Sequence, residues 1–490
     1  MASSETPSLQ LTPFGAPMLK HFLFAGGYKN LNHGSFGTYP RFVQNELRRF
    51  QDEAEAYPDV FIRRDRPILL DKAREAVARL LKASSKECVF VRNATTGVNT
   101  VLRNLVFSEG DVIVYFATIY GAIENAIVHL CETTPVRAVK VQYQLPVSHD
   151  ELVKRFQAVV AQAKADGLNV RVAVFDTIVS QPAVRFPFER LAEACRQEGI
   201  LSVIDGAHAI GQIPLDLGTL QPDFFVSNCH KWLYTPRGCA VLYVPLRNQH
   251  LLRTTLPTSW GFIPAPSSPD AHQPLTPVVG DKSAFELLFE RTATTDDAAY
   301  FTVPAALRFR QEVCGGEDRI YAYLESLARE AGDIIAATLG TEVLEEPDLN
   351  LGEVGQLRRC AMASIRLPLA YYDDSTTQTD KNNNKNSPYP PLSPTEASAA
   401  IDWMQSILIN RHNTTVPVIQ YGGYLWTRVS AQIYLQRSDF EWLAQILKEC
   451  IYSNEASWWY YVWRYWRVVD LDIDSDTDNS KQARKERRHN

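Results

Sequence analysis

At 490 residues, with a net charge of −6 and apolar and charged fractions of 45% and 22%, the chain has the make-up of a folded protein too long for one hydrophobic core to serve. Its mild acidity excludes an electrostatic grip on nucleic acid or on an anionic membrane, and no apolar run is long enough to span a bilayer. The first residues lack a signal-peptide or transit pattern, and the cysteines at 88, 131, 195, 229, 239, 314, 360 and 450 are dispersed without a CxxC pair; reduced thiols in a cytoplasmic protein are expected, not a disulfide framework or a metal site.

In chain order, residues 1–40 form an N-terminal arm and residues 41–82 read as helical, with apolar residues at three- and four-residue spacing. From "ECVFVRN" onward, strands alternate with helices. The strands are "ECVFVRN", "DVIVYF", "RAVKVQYQLP", "VRVAVFD", "ILSVID", "DFFVSN" and "CAVLYV". This alternation predicts an α/β unit over 41–300, a mostly parallel sheet covered on both faces, whose ligands bind beyond the strands' carboxyl ends. A smaller α+β unit is expected over 301–456. It holds a long helical stretch broken at Gly315-Gly316, strand-like "RCAMASIRLPL" and "LWTRVSAQIYL", and helices "PTEASAAIDWMQSILINRH" and "SDFEWLAQILKECIYS". The polar stretch 373–394 reads as a disordered insertion. Residues 457–490 form a tail that begins with "WWYYVWRYW" and turns acidic, then basic; its role is not legible.

Three features carry chemistry. "ILSVID" delivers Asp205 at a strand end, and "DFFVSN" delivers His230-Lys231 at the next. "NATTGVNT" places small residues and backbone N–H groups at a helix start, a natural phosphate cradle. Each alone is a cap or a turn. Together they supply a phosphate site, an acid for a ring nitrogen and a Schiff-base lysine, the parts of a pyridoxal phosphate site.

The motifs "LNHGSFGTYP", "NATTGVNTVLRN", "TIYGA", "DGAHAIGQ" and "PDFFVSNCHKWLYTPRGCAVLYVP" resemble the class V, fold-type I pyridoxal phosphate enzymes, the superfamily of cysteine desulfurases and isopenicillin N epimerase. The likeness implies a fold-type I pyridoxal phosphate-dependent transferase fold and a homodimer with shared active sites. By the same likeness, Lys231 binds the cofactor covalently and Asp205 pairs with the pyridine nitrogen. His208 lies near the phenolic oxygen, and Ala94, Thr95, Thr96, His230 and Ser227 serve the phosphate. Tyr120 covers the ring and is a candidate proton donor to a leaving group. Asp176, with Thr177 and Ser180, reaches the ring substituents. Arg428 clamps the substrate carboxylate in a two-bond fork. Asn32, His33, Ser35 and Arg63 (with Arg64) line the substrate side, and Ala293-Thr294 stands where relatives have a Gly-Thr reaching the partner's phosphate.

The scaffold runs several reactions. A desulfurase needs a nucleophilic cysteine just before the carboxylate arginine, and "NTTVPVIQYGGYLWTR" has none; Cys229 and Cys360 read as packing residues. The expectation is a carbon–sulfur lyase acting on a cysteine conjugate or its sulfoxide, with hercynylcysteine sulfoxide the candidate. Epimerase, desulfurase and aminotransferase-like chemistry are the alternatives.

Overall fold

The computed structural model describes residues 10–265, 281–347, 349, 355–372 and 390–452. Its centre is a seven-stranded sheet of β1 (Cys88–Val91), β2 (Asp111–Phe116), β3 (Arg137–Val141), β4 (Asn169–Asp176), β5 (Leu201–Asp205), β6 (Phe224–Ser227) and β7 (Ala240–Tyr243). The spatial order is β1-β7-β6-β5-β4-β2-β3. β7 runs antiparallel to both of its neighbours, β6 and β1, and every other pair is parallel. Six strands therefore point the same way, and their carboxyl ends share one edge. β2 and β6 are buried at every position, which is why their sequences read as unbroken apolar runs. Apolar layers cover both faces, and the layer on one of them continues without a break into the C-terminal part.

That C-terminal part carries an antiparallel sheet of β8 (Met362–Ala370), β9 (Val418–Tyr421) and β10 (Tyr424–Ser430) in the order β8-β10-β9. The helices Glu317–Leu339 and Arg437–Tyr452 pack together, the first directly on β8. The sequence reading missed β9. Gly422 and Gly423, both at positive φ, make the tight turn that folds it back on β10. The strand expected over 425–435 ends at Ser430, because Gln432–Leu435 closes a turn instead. The helices Ala284–Glu290 and Ala298–Phe301 were not anticipated either; the first starts with a capping box between Ser283 and Glu286.

The expected insertion is corrected at its far end. Leu392 is buried and exchanges backbone hydrogen bonds with Ala370 and Tyr372, and Ser393 caps the helix Pro394–His412. Residues 373–389 and the aromatic tail 457–490 lie outside the described residues. The segment 29–37 runs between the two sheets: Lys29 N donates to Asn413 O, and Ser430 N to Leu31 O at 2.9 Å.

A buried ion pair joins the helices to the sheet edge. Arg310 has no exposed surface; it forks onto Glu317 (Nε–Oε1 2.6 Å) and donates to the backbone carbonyls of Trp232 (2.8 Å) and Gly211 (3.0 Å). Arg310→Ala would leave an unpaired carboxylate and two unsatisfied carbonyls, with an expected loss of about 3–5 kcal/mol in a denaturant titration. Adding Glu317→Ala should recover part of that loss. A single variant as stable as the parent would mean that the pair contributes nothing.

Candidate active site

The parallel strands bring the expected groups to one edge. β4 and β5 pair in register at their last residues, Asp176 beside Asp205, and both carboxyls are buried. β6 runs into the short helix Cys229–Trp232, which carries Lys231. Asp205 accepts from Ala207 N at 2.9 Å, and Asp176 accepts no hydrogen bond from the described residues. Burial raises both carboxyls, and Asp176 stands well above the ordinary range, chiefly from burial and further from Asp205 beside it.

Lys231 is half-buried and forms no salt bridge with either acid. Its amine meets His208 Nε2 at 3.0 Å, while His208 Nδ1 accepts from the Trp232 indole at 3.3 Å. An indole can only donate, so the His208 proton sits on Nε2 and faces a lone pair on the lysine nitrogen. This arrangement selects the neutral amine. Desolvation by burial and the nearby Arg428 push Lys231 in the same direction, down to about 8, against the pull of Asp205 and Asp176.

Arg428, on β10, is buried with no carboxylate partner. It donates to Ser180 O (2.9 Å), Asn32 Oδ1 (2.8 Å) and Ser35 Oγ (2.6 Å), and its Nε has no hydrogen-bond partner among the described residues. Burial lowers it to about 10. The Thr177 hydroxyl beside Asp176 is also buried and unpartnered.

The residues fit pyridoxal phosphate. Two buried acids held as neighbours need a cation or donor against them, which a protonated ring nitrogen supplies. The neutral amine is the form that attacks an aldehyde, and the orphaned Thr177 hydroxyl and Arg428 Nε await polar partners.

Other expected residues are placed differently. The Ala94 and Thr96 N–H groups at the start of the helix Ala94–Asn104 already donate to Asn228 Oδ1 and Asn93 Oδ1, both at 2.8 Å, so the cradle is narrower than its sequence suggests. Thr95 has no such side-chain cap on its N–H, whereas Thr96 lines a separate cavity of about 110 Å³ with Arg92 and Ala293. The Ser227 hydroxyl spends its proton on Gly206 O and accepts from Ile210 N, so it ties β5 to β6 and has no proton for a phosphate. His230 Nδ1 donates to Cys239 O at 3.0 Å, and burial lowers the ring to about 4, leaving a neutral imidazole with a bare Nε2.

His33, expected on the substrate side, is fully buried between Lys231 O and the Tyr434 hydroxyl. Arg63 and Arg64 are solvated, 80% and 70% exposed, and pair with Asp59 and Asp65. They form a surface charge cluster on a π-helical turn, Phe61–Asp65, and add nothing to the buried clamp. Tyr120 stands at the start of the helix Gly121–Thr133, beyond the carboxyl end of β2, and is 51% exposed, free to lie over a ligand. Ala293 and Thr294 are exposed. Sequence reasoning missed Trp232, Tyr434, Asn30 and Arg310, because a buried aromatic or amide gives no signal until its partner from a distant segment is known.

A family model described as aminotransferase class-V matches residues 67–261. The L-cysteine desulfhydrase-like protein lolT1 of Epichloe uncinata is 45% identical over 440 residues, 89% of this chain and 95% of that protein. The hercynylcysteine sulfoxide lyase of Schizosaccharomyces pombe is 28% identical over 436 residues, 89% and 97% of the two chains. Among solved structures, the complex of the cystine C–S lyase C-DES with its product cysteine persulfide superposes with a TM-score of 0.62 at 16% identity, covering 88% of this chain and 98% of that one, a likeness of fold.

Proposed function

The chain belongs to the aminotransferase class-V family of pyridoxal phosphate enzymes, and on that premise we propose that it is a carbon–sulfur lyase that removes sulfur from the β-carbon of a cysteine-type amino acid by elimination. The observation that carries this reading is Arg428: a fully buried guanidinium with no acid of its own, near enough to Lys231 to lower its pKa. A substrate carboxylate in that fork puts an α-carbon within reach of the lysine.

Bound pyridoxal phosphate supplies the electron sink that lets the α-proton of an amino acid leave. Arg428 holds the carboxylate through two parallel hydrogen bonds, displacing Asn32 and Ser35. Lys231 takes the α-proton on the one lone pair of its neutral amine, which must first turn away from the His208 Nε2 proton. The Cβ–S bond then breaks with its electron pair going to sulfur, and Tyr120, exposed beyond the end of β2, would protonate the departing sulfur. Free 2-aminoacrylate hydrolyses to pyruvate and ammonia.

Elimination is favoured over a persulfide route by the thiols. Cys229 and Cys360 are buried, with burial raising both and Cys360 pushed up to about 11, so neither is a thiolate nucleophile. Hercynylcysteine sulfoxide is the preferred substrate, supported by the likeness to the fission-yeast lyase over 89% of this chain; its elimination would release a sulfenic acid, which a thiol reductant would then convert to ergothioneine with loss of water. L-cysteine is the competitor, supported by the 45% relative. A cytoplasmic homodimer completes the reading. In support, the exposed apolar residues Phe36, Tyr57, Val60, Ile62 and Ile68 all fall within residues 36–68, apolar surface that self-association would cover.

The test is incubation of the holoenzyme with hercynylcysteine sulfoxide and, separately, L-cysteine, assaying pyruvate. Pyruvate from the sulfoxide at a kcat/KM above that of L-cysteine is expected. Racemised amino acid without pyruvate would overturn the lyase reading in favour of an epimerase.

A further inference from the structure

The backbone carbonyl of Lys231 is held by a residue that the reaction does not call upon. His33 Nε2 lies 2.5 Å from Lys231 O, and His33 Nδ1 lies 2.9 Å from the Tyr434 hydroxyl, whose oxygen also accepts from Asn30 Nδ2 at 2.9 Å. The directions follow from the lysine carbonyl. A carbonyl only accepts, so His33 carries a proton on Nε2 and donates it to Lys231 O. Burial, with Arg310 and Arg237 nearby, holds the ring neutral, at about 3, so Nδ1 is bare and accepts the Tyr434 hydroxyl proton, while the Tyr434 oxygen accepts from Asn30.

Around this relay the backbone is tightly built. Gly37, at φ +63, passes so close that a Cβ there would sit 1.8 Å from His230 O. The next carbonyl, Trp232 O, is taken by Arg310. His33 also opens the short helix His33–Phe36, whose cap Asn32 and whose Ser35 both hold Arg428. One four-residue helix thus touches the carboxylate clamp with one set of side chains and the lysine's own peptide with another.

We propose that His33 is a positioning residue for Lys231: by fixing the 231 carbonyl through the Asn30–Tyr434–His33 relay, it aims the lysine amine and links it to the Arg428 clamp. This rests on the proposed reading of Lys231 as the cofactor lysine. The substrate never touches His33, so the residue acts on turnover and on the lysine's titration, not on substrate affinity.

The test compares holoenzymes of the parent, His33→Ala, His33→Gln and Tyr434→Phe, with L-cysteine as the probe. Three quantities are read: the pH at which the visible band of bound pyridoxal phosphate titrates, kcat against KM for pyruvate release, and the melting temperature. His33→Ala should lower kcat by about tenfold or more, the scale of one lost buried hydrogen bond acting on the reacting group. KM should stay within about twofold, and the band should titrate at a displaced pH. Gln keeps a donor near the Nε2 position and should restore most of kcat. Tyr434→Phe, which keeps the packing, should shift the band in the same direction by a smaller amount; if His33→Ala fails to fold, this variant decides. A changed melting temperature with the band unmoved overturns the proposal, as does a rise in KM alone. A parent protein that binds no pyridoxal phosphate overturns it together with the reading beneath it, whereas an active parent with indifferent variants overturns the proposal alone.

Discussion

Lys231→Ala is expected to abolish the visible band of bound pyridoxal phosphate and to lower pyruvate release by roughly a hundred- to ten-thousand-fold from the lost general base alone. The amine is the group toward which Asp176, Asp205 and His208 converge, and no neighbour among the described residues replaces it. Lys231→Arg should be as inactive, because a guanidinium stays charged at any working pH and cannot attack an aldehyde. The parent enzyme offers a check on the sign. Its lysine is pulled down to about 8, so the neutral fraction grows through that pH, and apoenzyme should take up pyridoxal phosphate faster above it than below. A variant that keeps both the band and turnover within tenfold of the parent would remove Lys231 from its role.

Arg428→Gln is expected to cost about 2–5 kcal/mol in kcat/KM, roughly thirty- to several-thousand-fold, the cost of truncating one partner of a buried charged hydrogen-bond pair. Most of the loss should appear as a raised KM, since the carboxylate is bound alike before and during reaction. Arg428→Lys should recover little, because an ammonium lacks the planar fork. Stability should move the other way. Among the described residues this guanidinium has no acid partner, so its removal orphans no carboxylate and relieves a desolvated charge; that offsets its lost hydrogen bonds to Ser180 O, Asn32 Oδ1 and Ser35 Oγ, toward which the Gln amide still offers a donor. The melting temperature should hold or rise while activity falls. A fall in both together would mark Arg428 as a structural residue and take the substrate carboxylate away from it.

The two residues also show why parts of the site were legible and others were not. Asp205 and Asp176 each end an apolar strand, and Lys231 follows the apolar β6 by four residues on the short helix Cys229–Trp232; a polar group at that point stands out against the pattern around it. Arg428, between Thr427 and Val429 on β10, was assigned from the likeness to known motifs, and the structure buries it. His33 and Ser227 were assigned likewise, but both spend their polar atoms on backbone groups of distant segments, Lys231 O for one and Gly206 O for the other. No local pattern distinguishes such a residue from a ligand contact. The pair Arg63 and Arg64 differs again: a charge cluster reads alike whether it faces solvent or substrate, and in the single chain both side chains are exposed and paired with Asp59 and Asp65.

The amino-acid sequence by itself determined the alternation of strands and helices, the strand ends that carry the acids and the lysine, and the absence of a nucleophilic cysteine before Arg428. These are matters of periodicity and neighbour spacing, which the chain states directly. Tertiary structure decided the rest: that β7 runs antiparallel and sets β1 alongside the others, that Asp176 and Asp205 stand as register partners, that Trp232 fixes the proton of His208, and that segment 29–37 and Tyr434 close on the lysine's peptide. Each joins residues far apart in the chain, and each turns on where a proton or a hydrogen-bond donor finds its partner, which only the folded arrangement specifies.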